Sequence, residues 1–547
     1  MHAPKAAGTL DEGAIDRVIR RHLGALRKPG VLTVRPGYEI TGGRVTGRPA
    51  IVVTVSRKRA RVPSAAQLPT ELEGVPVDVR QSTPLQRLRA RNPRHHAMVA
   101  RYGRPELREP AWPLERRVSD GKRLASLPKP VHPAARTDLK KPEMPYTPAA
   151  VALKPVTGTM TVLACASPDA GFTVLADFLK GVRSRLTVGL YDFTSGDILA
   201  TLRTVLEKND KAFCMVLDHP APNPTANQSD EQTVAALRRA DDRAKIDWAL
   251  TRTDPEVAKW IFPSAYHIKV AVRDGSAFWL SSGNWNVSNQ PNFAAKQASR
   301  GAYDTADRDW HLVVMHEGLA RLYEAYIEHD FTVAGGEQTT GSRALHAAIK
   351  TATAAHQREQ KAQPRAASST PRVPFTLGKP QVFTNARLTI QPLLTPDKGR
   401  LTSMYVDHVL ALITSARRRL YMQTQYIHPS DEPGDRNFMR LVDAFADAVR
   451  RRVDVRLILS QYENTPQYIE LLHKAGLSGV LRIQDRVHNK GIVVDSGTVL
   501  VSSQNWSGDG TLRNRDAGVI IRHAGIARYF EQIFLQDWEK RADVRVK

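Results

Sequence analysis

Two stretches of this chain carry the same polar residues at the same spacing, and their types are those of phosphoryl chemistry. The first is HIKVAVRDGSAFWLSSGNWN (267–286) and the second HNKGIVVDSGTVLVSSQNWS (488–507). Each reads His-x-Lys, four residues, Asp, six residues, then Ser-Ser-x-Asn-Trp. A neutral imidazole can attack phosphorus, and a protonated one can donate to the leaving oxygen. Lys269, Lys490, Asn284 and Asn505 are donors suited to the non-bridging phosphate oxygens, and the hairpins bring the Ser282 and Ser503 hydroxyls alongside. Each copy supplies one histidine, so acid–base chemistry at a single phosphodiester needs His267 and His488 facing each other. A lone His-x-Lys would read as ordinary hairpin sequence; four positions matched at one offset do not.

The elements around the motifs repeat as well. His267, Lys269, Asp274 and Asn284 recur 221 positions later as His488, Lys490, Asp495 and Asn505. Arg308-Asp309 recurs as Arg515-Asp516 at an offset of 207, together with the tails LARLYEAYIEHDF (319–331) and IARYFEQIFLQDW (526–538). MTVLACASPDAG (160–171) answers LTIQPLLTPDKG (388–399). Strand and helix periodicities alternate through both copies, which predicts two α/β lobes related by a pseudo-two-fold. In each motif, alternation puts the His and Lys on one face of a strand that turns at Asp274-Gly275 or Asp495-Ser496 and returns with the Ser and Asn. Asp274 and Asp495 therefore read as turn-fixing residues.

Around the lobes the texture changes. Residues 1–102 read as a small basic α/β module, with an amphipathic helix near Leu10–Arg27 and short strands near residues 31–34, 50–55 and 75–79. Gly42 and Gly47 mimic a phosphate loop, but Arg48-Pro49 follows and no helix can open there. Residues 103–151 hold nine prolines and read as a linker. The lobes follow at 152–335 and 380–547, joined by an Ala/Gln/Ser-rich linker at 336–379.

The net charge of +24 is uneven: residues 1–150 carry 29 Lys and Arg against 13 Asp and Glu. Such an excess suits polyanionic partners, either an anionic membrane surface or nucleic acid. No apolar run is long enough to cross a membrane, and the N-terminus lacks the apolar core of a signal peptide, so the expected location is cytoplasmic. Cys165 and Cys214 sit in apolar runs as isolated thiols, and His95-His96 has no accompanying ligand cluster. Trp285 and Trp506 are expected to pack beneath the hairpins.

The paired motifs resemble the signature of the phospholipase D superfamily, over about 155–335 and 380–547. That resemblance implies duplicated α/β/α lobes forming one active site at their interface, a covalent phosphohistidine, no metal or other cofactor, and an intramolecular site in a monomer. It makes His267 the nucleophile and His488 the general acid and base, and implies that Ser282 and Ser503 support the phosphate. It also implies a downstream acid against each histidine, for which Asp309 and Asp516 are the candidates. Ser281 and Ser502 stand where the family has Gly.

Phospholipid is the favoured substrate, cleaved at the head group or transferred to another hydroxyl. The alternative is a nuclease: the Asn-Trp endings and LYDFTSGDI (190–198) resemble that branch, and the basic N-terminus could track a phosphate backbone. A basic binding module carrying a decayed enzyme is disfavoured by two intact motifs.

Overall fold

The computed structural model describes residues 11–91, 151–334 and 378–546 with short gaps, and several short runs between 96 and 149. His95 and all but the last two residues of the connector expected at 336–379 lie outside the described residues. Both lobes contribute to one 15-stranded sheet. From the joint outward, the first lobe presents Val156–Ser167, Asp309–Met315, Ala277–Ser281, Val270–Arg273, Arg185–Leu190, Ala212–Leu217 and Lys245–Trp248. The second presents Gln381–Thr395, Asp516–Arg522, Thr498–Ser502, Lys490–Val494, Arg419–Thr424, Asp454–Ser460 and Leu481–Gln484, with Val544–Val546 at the edge. The orders match strand for strand, as the sequence repeat predicts. The fold is α/β, with parallel pairing among the three outer strands of each repeat, antiparallel pairing at the joint, and Val544–Val546 added antiparallel at the edge.

The joint is Val156–Ser167 beside Gln381–Thr395. The apolar faces of both strands continue into one cluster that runs from Val162 and Trp310 through Ile390 and Val519 to Phe530. The tail helices Glu317–Ala334 and Ala524–Lys540 close this core. Each buries residues at helical spacing, Tyr323, Tyr326, Ile327 and Asp330 in one and Phe530, Ile533, Phe534 and Asp537 in the other. An aspartate therefore lies on the buried face of each tail helix. Gly491 lies against the Trp310 indole of the other lobe, and a Cβ there would overlap the ring.

The N-terminal residues depart from a detached module. Val31–Thr41 and Arg44–Val55 form the centre of a second sheet, which Val75–Gln81 extends on one side. On the other side Arg116–Arg117, read above as linker, pairs with Thr33 and Val34. Tyr146, also in the expected linker, packs on Phe262 and hydrogen-bonds Asp330 in the first lobe. The sheet docks on the helix Thr465–Lys474 of the second lobe, where Arg35 and Arg80 meet Glu470. Proline density signals an extended path but gives no sign of these anchors. No described helix is long and apolar enough to cross a membrane.

Candidate active site

The motif histidines sit just ahead of the strands Val270–Arg273 and Lys490–Val494, and the backbone of the opposite lobe holds each of them. The His267 amide donates to Arg515 O at 2.7 Å, and the Arg515 amide to Ala265 O at 2.9 Å. The other half mirrors this, with Arg308 N to Arg486 O at 2.8 Å and His488 N to Arg308 O at 3.1 Å. Each His segment thus runs beside the Arg-Asp pair of the other lobe.

The side chains cross in the same way. His267 Nδ1 lies 2.8 Å from Asp516 Oδ1, and His488 Nδ1 lies 3.1 Å from Asp309 Oδ1. With an ionised carboxylate at Nδ1, that nitrogen carries the proton and Nε2 is left with its lone pair. Lys490 Nζ reaches both ring nitrogens of His488, at 3.0 and 3.2 Å, and Ser282 O of the other lobe at 3.4 Å. Lys269 Nζ donates to His267 O at 2.6 Å. Asp309 and Asp516 each feel both lysines. Two imidazoles, two ammonium groups and two carboxylates therefore form one buried cluster across the joint.

Burial dominates the electrostatics. It pushes the Asp309 carboxyl up to about 6 against the pull of Lys490, and raises Asp516 against the pull of Lys269. His267 Nε2 therefore carries its lone pair in the state in which Asp516 has given up its proton and accepts from Nδ1. Burial, then the charges of Lys490 and Lys269, hold the His488 imidazole well below its usual value, so it is neutral at pH 7. A carboxyl whose folded pKa is raised contributes stability that is full below its unfolded value and is lost as pH rises through about 6. Asp309→Asn should therefore raise unfolding stability at pH 7.5 by about 3 kcal/mol, with little difference at pH 4. The same change should lower turnover, because the imidazole loses its carboxylate. Urea melts at the two pH values check this, and equal melts at pH 7.5 would refute it.

The remaining motif residues divide. Asn505 is fully buried with neither amide atom hydrogen-bonded within the chain, and Asn284 Oδ1 is likewise unpartnered. An amide left so is ready for a polar ligand. The serines do not fit the phosphate role expected of them. Ser282 Oγ donates to Asp309 Oδ1 at 2.7 Å, Ser503 Oγ donates to Asp516 Oδ1 at 2.5 Å, and both accept from backbone amides at 3.0 Å. These hydroxyls fix the acids. Asp274 accepts from the amides of residues 183–185 and Asp495 from those of 417–419, both at positive φ. Ser281 bonds His311 Nδ1 at 2.6 Å, and Trp285 and Trp506 are buried in the lobe cores.

Three further contributors, Tyr191, Arg308 and Arg515, are not among the residues expected from the motifs. Tyr191 sets its ring edge-to-face on His267 at 4.6 Å, and Lys269 Nζ lies 5.1 Å from the same ring. The matching strand end in the second copy reads QTQYIH and repeats no tyrosine at that place, so the duplication gives no signal. Arg308 and Arg515 do have one, since both stand in the repeated Arg-Asp pairs.

Residues 409–538 match the family model described as "Cardiolipin synthase, PLD-like domain". That stretch of the chain is thus similar to phospholipase D-like domains. A phospholipase D of Rickettsia bellii (strain RML369-C) is 26% identical over 160 residues, which is 28% of this chain and 70% of that one. The phosphatidylserine synthase structure from Haemophilus influenzae Rd KW20 is 15% identical, covers 73% of this chain and 89% of its own, and has a TM-score of 0.44. Nuc of Salmonella typhimurium, a phospholipase D family member, is 23% identical over 28% of this chain and 97% of its own, with a TM-score of 0.23. The family match covers the second motif, and the internal repeat supplies the first.

Proposed function

We propose that this protein is a metal-independent phosphodiesterase of the phospholipase D superfamily that acts on phospholipid head groups through a phosphohistidine. The observation that carries the reading is the pair of crossed His–Asp bonds, which places two oriented imidazoles and two lysines in one cluster. His267, with Nδ1 on Asp516, attacks phosphorus through Nε2 as the bond to the head-group oxygen breaks. Lys269, Lys490, Asn284 and Asn505 hold the non-bridging oxygens as charge develops. His488 protonates the leaving oxygen. Its imidazole is neutral without substrate, and the arriving anion draws the Lys490 ammonium toward itself and favours the proton. The neutral His488 then takes a proton from water, which displaces phosphate from His267.

The phospholipid reading is supported by the cardiolipin synthase description of the matched family and by the Rickettsia relative's name. The basic residues of 1–150 would then face an anionic lipid surface. Labelled phosphatidylcholine or phosphatidylglycerol vesicles with added ethanol should yield phosphatidylethanol, because the covalent intermediate lets alcohol compete with water. Turnover should persist in EDTA, since the lysines supply the positive charge. Cleavage of plasmid or single-stranded DNA without any lipid product would replace lipid by nucleic acid as substrate. Loss in EDTA restored by Mg²⁺ would overturn the charge assignment.

A further inference from the structure

Beside each catalytic acid stands an arginine whose side chain crosses to the other lobe. Arg308 is almost wholly buried. It grips Asp537 of the second lobe's tail helix through Nε and Nη2 at 2.8 and 3.0 Å, and Nη1 reaches Asp169 at 3.2 Å and Ser167 O at 2.9 Å. Arg515 does the reverse, reaching Asp330 of the first lobe's tail helix at 2.9 Å, Thr395 O at 3.1 Å and the Tyr146 hydroxyl. Asp330 and Asp537 occupy matching places in the repeated tails. Burial works against the charge on both guanidinium groups, but the neighbouring aspartates outweigh it and keep them charged. The same arrangement thus occurs twice in one chain, each time from lobe to lobe.

We infer that Arg308 and Arg515 are positioning residues, each setting one His–Asp pair from the opposite lobe through its ion pair with Asp537 or Asp330. The backbone carries the effect. Arg308 receives the His488 amide on its carbonyl, and its next residue is Asp309, the acid on that imidazole. Arg515 stands in the same relation to His267 and Asp516. A guanidinium anchored at both ends therefore fixes imidazole and carboxylate relative to each other, and a displacement of about 1 Å there costs on the order of a hundredfold in rate.

The two clamps serve different steps, a statement that rests on the roles proposed above for His267 and His488. Clamp Arg308–Asp537 serves the proton donor, and clamp Arg515–Asp330 serves the nucleophile. Single-turnover rates of the full chain separate them with two soluble probes, dihexanoyl phosphatidylcholine, whose alkoxide needs a proton, and bis(p-nitrophenyl) phosphate, whose phenolate does not. Arg308→Lys and the isosteric Asp537→Asn should lower the phosphatidylcholine rate about 10- to 100-fold and leave the nitrophenyl rate within about 3-fold. Arg515→Lys and Asp330→Asn should lower both rates alike. The alkaline limb of the phosphatidylcholine profile, set by the proton donor, should move only in the Arg308 and Asp537 variants. The aspartate variants report even if an arginine variant fails to fold. Reversed selectivity would uphold the clamps and overturn the choice of His267 as nucleophile. Equal losses on both probes in all four variants, with an unmoved pH profile, would overturn the inference and leave the arginines as ties between the lobes.

Discussion

Turnover of any phosphodiester substrate should fall at least about a thousandfold in His267→Ala and in His488→Ala, and the double variant should be little worse than either. In the proposed mechanism the two imidazoles act in sequence on one phosphorus, so losing one leaves the other without its step. The crossed pairing sharpens the expectation. Asp516 lies on His267 although it belongs to the other lobe, and Asp309 lies on His488. Asp516→Ala should therefore copy the defect of His267→Ala in weaker form, and Asp309→Ala that of His488→Ala. If the nucleophile is His267, His488→Ala denatured at alkaline pH after reaction with a nitrophenyl substrate should carry a phosphoryl adduct, labile to acid, that is missing from His267→Ala. Mass spectrometry of the quenched chain reads this directly. Retention of more than about a tenth of the rate in either single variant would break the shared-site model.

The duplication makes the lobes and the motif residues legible in the amino-acid sequence, because a fixed offset tells which positions correspond. It does not tell which lobe a side chain faces. Asp309 on His267 and Asp309 on His488 are the same pattern in sequence, and only the joint between Val156–Ser167 and Gln381–Thr395 decides for the crossed form. The serines mislead for a similar reason. A hydroxyl two residues before a phosphate-binding amide looks like another donor, yet the strand turns it inward onto the acid. The docking of the N-terminal sheet leaves no trace, since Arg35 and Glu470 are unremarkable alone and lie 435 positions apart. Tyr146 is hidden in a Pro-rich stretch whose composition describes its path, not its contacts.

That docking carries a second large effect. Glu470 is fully buried and faces Arg35 at 2.9 and 3.1 Å and Arg80 at 3.1 Å, while the Tyr38 amide donates to it at 2.9 Å. Around it Tyr38 and Val45 join the apolar core of the second lobe, and Trp112 lies 3.6 Å from the Arg35 guanidinium. Burial alone would raise the Glu470 carboxyl, but Arg35 and then Arg80 outweigh it and bring it down to about 2. A depressed carboxyl contributes stability above its unfolded value, and that contribution is lost as pH falls toward about 2. Removing Arg35 leaves a buried carboxylate with one weaker partner, which costs about 3–5 kcal/mol. Arg35→Ala should therefore be strongly destabilised at pH 7 in urea melts. Its deficit should shrink toward pH 4, because the uncompensated carboxyl then takes up a proton. Arg35→Ala with Glu470→Gln should recover part of the loss at pH 7. For the same reason, a chain cut back to residues 151–547 should unfold more readily than the full chain, since it loses the Arg35 contacts, the Tyr38 packing and the Tyr146 anchor together. An unchanged melt in that shortened chain would show that the sheet only rests on the second lobe and does not help to hold it.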